Sequence, residues 1–197
     1  MNMKKFIFNF LIIGILFGFS GCVLQRALNM KDCKYSFGEL TGVTWANINF
    51  LQLGTNLSNF NVKTITDFAT ALAKKDFATR ITLNINAQNP KNQDAALAGF
   101  DYQVLYKNFL IGEGESINSS EIVVPAYGQT KIPANLQISF KDVVDLKHPV
   151  QSVDNTLAFI KSITKIGKEK TDFSIKIRPH IRIGQKRVKT AYITLDI

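Results

Sequence analysis

The residues able to do chemistry are few, and they are scattered. Glu113 and Glu115 stand two apart, so on a strand they share one face. A pair of carboxylates that splits a glycosidic bond sits across a cleft, about 5–10 Å apart. Two same-face glutamates beside glycines instead read as a solvated strand. Asp142 and Asp145 read as the start of a helix, where negative charge suits the helix dipole. Ser116, Ser119 and Ser120 have no G-x-S-x-G setting and no nearby histidine. His148 precedes Pro149 and reads as loop. There is no P-loop, no G-x-G-x-x-G and no sequence cluster with metal-ligand spacing. With two His and two Cys in 197 residues, a Cys/His zinc site is not expected. The expectation is a chain that is not an enzyme and carries no catalytic, cofactor-binding or metal residues.

One feature could bind rather than react. Lys176, Arg178, His180 and Arg182 recur at period two, and Lys186, Arg187 and Lys189 follow a turn. On a hairpin they would form a cationic face opposite Phe173, Ile175, Ile177, Ile181 and Ile183. Such a face keeps a sheet edge from aggregating. It would equally suit an anionic partner: a lipid headgroup, a glycolipid phosphate or an acidic protein. Interleaved aromatics for stacking bases are missing, so nucleic acid is not an expected partner.

The first 21 residues read as an address. Lys4 and Lys5 precede an apolar run from Phe6 to Phe19, the length of a signal-peptide core and too short for a comfortable span. The run ends in Phe19-Ser20-Gly21-Cys22, which resembles a bacterial lipobox with Phe19 where Leu is usual. The resemblance implies cleavage before Cys22 and a lipid on its sulfur. Val23 follows, not the Asp associated with inner-membrane retention, so the outer membrane of a bacterial envelope is the expected location. Cleavage takes Lys4 and Lys5, leaving 22 basic against 15 acidic residues. Cys33 then lacks a partner and reads as a quiet, buried thiol. Residues 22–32 read as a lipidated tether, and 33–197 as one domain.

The elements that must position these residues are mainly strands. Ala78–Gln88 alternates Ile81, Leu83, Ile85 and Ala87 with polar residues and stops at Asn89-Pro90-Lys91-Asn92. Gly99–Tyr106 turns at Lys107-Asn108 into Phe109–Gly112. Ile122–Val124 reads as a separate short strand closed by Pro125-Ala126-Tyr127-Gly128. Thr130–Phe140 alternates again, and Pro133 within it belongs at a sheet edge. Phe173–Ile183 and Val188–Ile197 read as a final hairpin around Gly184-Gln185, and Tyr35–Leu53 as one or two strands. Ile65, Phe68, Ala69, Leu72 and Ala73 have helical spacing, with Thr64 as cap and Asp67 in the first turn. Val153, Leu157, Ile160 and Thr164 make a second helical stripe. The expected architecture is mainly β, an antiparallel sandwich with two added helices.

The order Leu83–Pro90, Gly99-Phe100-Asp101-Tyr102-Gln103-Val104, Gly112-Glu113-Gly114, Val123–Gly128 and Ile132-Pro133-Ala134-Asn135-Leu136 resembles the LEA type 2 family, the LEA14-like or WHy domain. The helix at Ile65–Ala73 is more similar to bacterial lipoprotein versions of that domain. The resemblance implies a fibronectin-III-like β-sandwich without catalytic residues or cofactor. It also implies a role in stress response, such as protection against desiccation, or in envelope support.

Overall fold

The computed structural model describes residues 25–197 apart from 27, 144–148, 184 and 196, and the side chains of 117–119 and 149–151 are likewise not described. Residues 1–24, with Cys22, lie outside the described residues, as do Asp145, His148 and Gly184.

Among the described residues from Lys34 on, the elements follow one another in chain order. They are β1 (Lys34–Trp45), β2 (Ile48–Asn49), α1 (Phe50–Leu53), a 3-10 turn (Leu57–Asn59), α2 (Val62–Lys74), β3 (Ala78–Gln88), β4 (Ala95–Tyr106), β5 (Phe109–Val124), β6 (Gln129–Ser139), α3 (Pro149–Thr164), β7 (Phe173–Ile183), β8 (Lys186–Lys189) and β9 (Ile193–Leu195). Two antiparallel sheets face each other, in the orders β2-β1-β3-β6 and β5-β4-β7-β8, with β9 also pairing with β7. This is the expected mainly-β sandwich with helical additions. The helices exceed the expected two, because α1 and the 3-10 turn add single turns.

The alternating strands behave as their period requires. Ile81, Leu83, Ile85 and Ala87 of β3 are buried, as are Ile132, Ala134, Leu136 and Ile138 of β6. β6 is an edge strand, and Pro133 sits in it opposite Asn84, where its missing N–H breaks no inner ladder. β5 joins the two stretches expected as separate strands into 16 residues. Gly112 lets it pass over β6, because a Cβ there would meet the Gln137 carbonyl and Ile138 backbone. The Tyr102 hydroxyl bridges the sheets, accepting the Gln137 N–H at 2.9 Å.

The two ends of the sandwich differ. At the N-terminal pole, the start of β1 pairs with the end of β3, Lys34 opposite Gln88. The buried Asn89 side chain donates to the carbonyls of Gln93, Val124 and Pro125, tying the β3–β4 link to the β5–β6 turn. The turn between β7 and β8 lies at this pole too, because β7 runs antiparallel to β4. Residues 25–32, read as tether, are instead helical where described, and Met30 and Asn29 are buried. Asn29 donates to the carbonyls of Gln93 and Asp94.

At the far pole, Trp45 is wrapped by rings. Phe68 lies edge-on at 5.1 Å, Phe140 at 5.5 Å and Phe77 stacks at 6.4 Å. The Trp45 Nε1–H donates to the Asp76 carbonyl. This pole also holds the Lys107-Asn108 turn, both residues at positive φ, with exposed Phe109 and Leu110 beside it.

The helices correct the sequence in phase. The α2 cap is Asn61, not Thr64; its side chain accepts the Thr64 N–H at 2.9 Å, and Asp67 falls beyond the first turn. Phe68 and Ala71 are its buried residues, while Ile65 and Val62 face outward. In α3 Ser152, Thr156, Phe159, Ile160 and Ile163 are buried; Ile160 belongs to the expected stripe, while Val153 and Leu157 are only half-buried against the core. Asp142 lies on an exposed turn rather than at a helix start. The expected Val188–Ile197 strand is two strands, β8 and β9. Among the described residues, no helix is long and apolar enough to cross a membrane.

Candidate functional site

The basic residues of β7 and β8 meet acids contributed by their neighbours. β4 lies between β5 and β7, and the registers place Glu115 and Arg178 on either side of Asp101. Arg178 donates through Nε to Asp101 Oδ2 at 2.7 Å and through Nη2 to the same oxygen. Lys189 Nζ donates to Asp101 Oδ1 at 3.1 Å. Arg187 lies 3.6 Å from Glu115, and Arg182 lies 3.9 Å from Glu121. The Arg178 guanidinium also sits 4.7 Å over the Tyr192 ring.

His180 corrects the cationic-face expectation most sharply. It opposes Gly99 across the β4–β7 pairing, and its side chain is 0% exposed. Nε2 lies 3.0 Å from Asp101 Oδ1 and Nδ1 lies 3.3 Å from Glu115 Oε1, neither aligned as a hydrogen bond. Burial pushes its pKa below the ordinary value, outweighing the pull of Asp101 and Glu115. Burial works to raise the Asp101 carboxyl, but the Arg178 and Lys189 hydrogen bonds prevail and hold it below the usual range. His180 is therefore no solvent-facing cation. Glu113 and Glu115 are both exposed, as a solvated strand face requires, but Glu115 also lies within reach of His180 and Arg187.

Asp101, Glu115 and His180 each offer a ligand atom, and those atoms lie within 4.8 Å of one another. No spacing in the sequence foretells this trio, because three strands assemble it. It already faces three cations: Arg178 and Lys189 on Asp101, Arg187 near Glu115. A divalent ion entering there would have to displace or repel them. The arrangement is a charge network that fixes β5, β4, β7 and β8 relative to one another.

Of the remaining candidates, Lys176 is half-buried between Gln103 and Thr194 of the flanking strands. Lys186 is exposed, and neither has an ion pair among the described residues. Ser116 lies in β5 opposite Phe100, and Ser120 is exposed. The Ser119 side chain is outside the described residues. Cys33 is buried, its thiol within 3.6 Å of the Asn29 carbonyl; burial first and Asp32 second push its pKa up to about 11.

These features define an antiparallel β-sandwich carrying a paired-charge network on its second sheet. No family model matches the chain, and no curated protein matches it by sequence. Among solved structures, the chain is similar to a crystal structure of a protein from Archaeoglobus fulgidus. The two are 15% identical over 82% of this chain and 89% of that one, with a TM-score of 0.36. It is also similar to a solution structure assigned provisionally to the late embryogenesis abundant (LEA) proteins. That pair is 10% identical over 94% and 87% of the two chains, with a TM-score of 0.38.

Proposed function

We propose that this chain is a non-enzymatic bacterial envelope lipoprotein, lipidated at Cys22, whose LEA14-like domain acts by binding and tethering. The observation that carries the reading is Phe19-Ser20-Gly21-Cys22 at the end of an apolar run behind Lys4 and Lys5. Two or three acyl chains on Cys22 hold the domain at a membrane stably, since each buried methylene contributes about 0.8 kcal/mol. The absence of Asp after Cys22 favours the outer membrane. The charge network supports a binding or structural role over catalysis, because each carboxylate near the imidazole is already engaged by a cation. The physiological role that fits the resemblance is protection of the envelope under desiccation or osmotic stress.

Mass spectrometry of the N-terminal peptide from the membrane fraction tests the anchor. A thioether-linked diacylglycerol on Cys22 is expected, and Cys22→Ala should release the chain from membranes. Recovery of unmodified Cys22 sinks the reading. A deletion strain that survives drying as well as its parent removes the stress role while leaving the anchor.

A second reading is a module whose basic hairpin holds an anionic partner. Lys186 at the tip of the hairpin favours it, being exposed and without an ion pair among the described residues.

A further inference from the structure

The described fold begins at Gln25, three residues after Cys22. Three residues span at most about 11 Å when fully extended. A lipid on Cys22 would therefore hold the N-terminal pole close to the bilayer surface, where the reach of about 11 Å is comparable to the Debye length of about 8–10 Å. That pole is basic. Lys31, Lys34 and Lys186 are exposed there without an ion pair among the described residues, while Lys91 is offset by Asp32 at 3.1 Å. Lys31 and Lys189 line one groove, together with Leu28, Pro179 and Val188, so the helical stretch 28–32 packs beside the basic hairpin.

We infer that the N-terminal pole, through Lys31, Lys34 and Lys186, docks on anionic phospholipid headgroups of the membrane that holds Cys22. The inference rests on the lipoprotein reading and supplies its partner. Acyl chains and a basic patch then act as two signals on one surface. Each Lys or Arg near an anionic surface shifts binding about fivefold, so three give about 100-fold in the ratio of docked to free domain.

The test uses the full-length lipidated protein in nanodiscs of phosphatidylcholine alone, or with 30% phosphatidylglycerol as on the order of a natural anionic content. A fluorophore is placed at Gln185→Cys, in the β7–β8 turn, or at Phe109→Cys, at the far pole; a headgroup-located spin label quenches it. Quenching at 185 is expected in anionic discs, with little in neutral discs and none at 109. The triple variant Lys31→Glu, Lys34→Glu, Lys186→Glu should return quenching at 185 to the neutral-disc level. Lys74→Glu with Lys141→Glu, at the far pole, should leave it unchanged. Trp45 emission reports whether each variant is folded. Equal quenching in both disc types, or no response to the triple variant, overturns the inference and leaves the anchor standing. An N-terminal peptide without lipid overturns both.

Discussion

Asn89→Ala removes a side chain that is 1% exposed and serves four backbone groups at once. Its amide donates to the carbonyls of Gln93 at 2.8 Å and of Val124 and Pro125 at 3.2 Å, and its oxygen accepts the Lys91 N–H at 3.0 Å. A buried group left unpaired costs about 1–3 kcal/mol, and a partly solvated one nearer 0.5–1. Only the Val124 bond is fully buried. Taking about 2 kcal/mol for it and somewhat under 1 for each of the others gives a loss of about 4 kcal/mol. Domains of this size carry about 5–15 kcal/mol in total. With a urea slope of about 2 kcal/mol/M, the midpoint should fall by about 2 M. The assay is urea unfolding of the chain from Val23 onward, followed by emission of Trp45, the only Trp, which is buried among rings. Asn89→Asp sharpens the test. It keeps the shape but turns a carboxylate toward three carbonyl oxygens, which raises its pKa. At pH 7 it should be no more stable than Asn89→Ala, and it should recover on acidification as the acid gains a proton to donate. A midpoint shift under about 0.5 M for Asn89→Ala, or a wild-type midpoint for Asn89→Asp at pH 7, would refute the reasoning.

The His180 pKa is lowered by folding, so its contribution to stability is full above the unfolded value of 6.5 and falls as pH drops toward the folded value. Asp101, also lowered, adds a further loss as pH falls below 3.8. Urea midpoints should therefore decline from pH 7 to 5, and His180→Gln should flatten that limb; a rising midpoint contradicts the sign. Gly112→Ala should lose about 1–3 kcal/mol in the same assay by forcing β5 off the Gln137–Ile138 backbone, and an unchanged midpoint would remove that contact from the account. Cys33, raised from 9.0 to about 11, should react with a thiol reagent at pH 8 about 100-fold more slowly than in urea, and equal rates would show that it is not held buried.

Period two was easy to read where one face is uniformly apolar. Ala78–Gln88 is β3 residue for residue, because Asn89-Pro90 ends it sharply. The β5 pattern broke at Gly112 and Gly114, whose small size serves the close passage over Gln137 and Tyr102 rather than a turn. In α2 the spacing gave a helix but not its orientation. Ile65 fits the stripe, yet the rings around Trp45 take Phe68 and turn Ile65 outward. Thr64 and Asn61 are both good caps, and only the chain path decides between them. The basic hairpin was visible as composition, while its neutralisation was not. Asp101 and Glu115 lie more than 60 residues upstream of His180, and their proximity depends on β4 pairing with β5 and β7 together. The helical stretch 28–32 carries too few apolar residues to announce itself; buried Met30 and Asn29 anchor it.

The pairing of β4 with β7 also sets an order of events. The first sheet is complete once β6 has been made, but the second needs β7, some 67 residues after β4 ends, and then β9, whose Leu195 is buried. Loop closure over such a distance must precede the contacts that reward it, which places folding in the slow, non-local class. The β4–β5 hairpin meanwhile waits with one flank unpaired. A chain emerging from its N-terminus would therefore leave its second sheet open until β7 and β9 had both emerged.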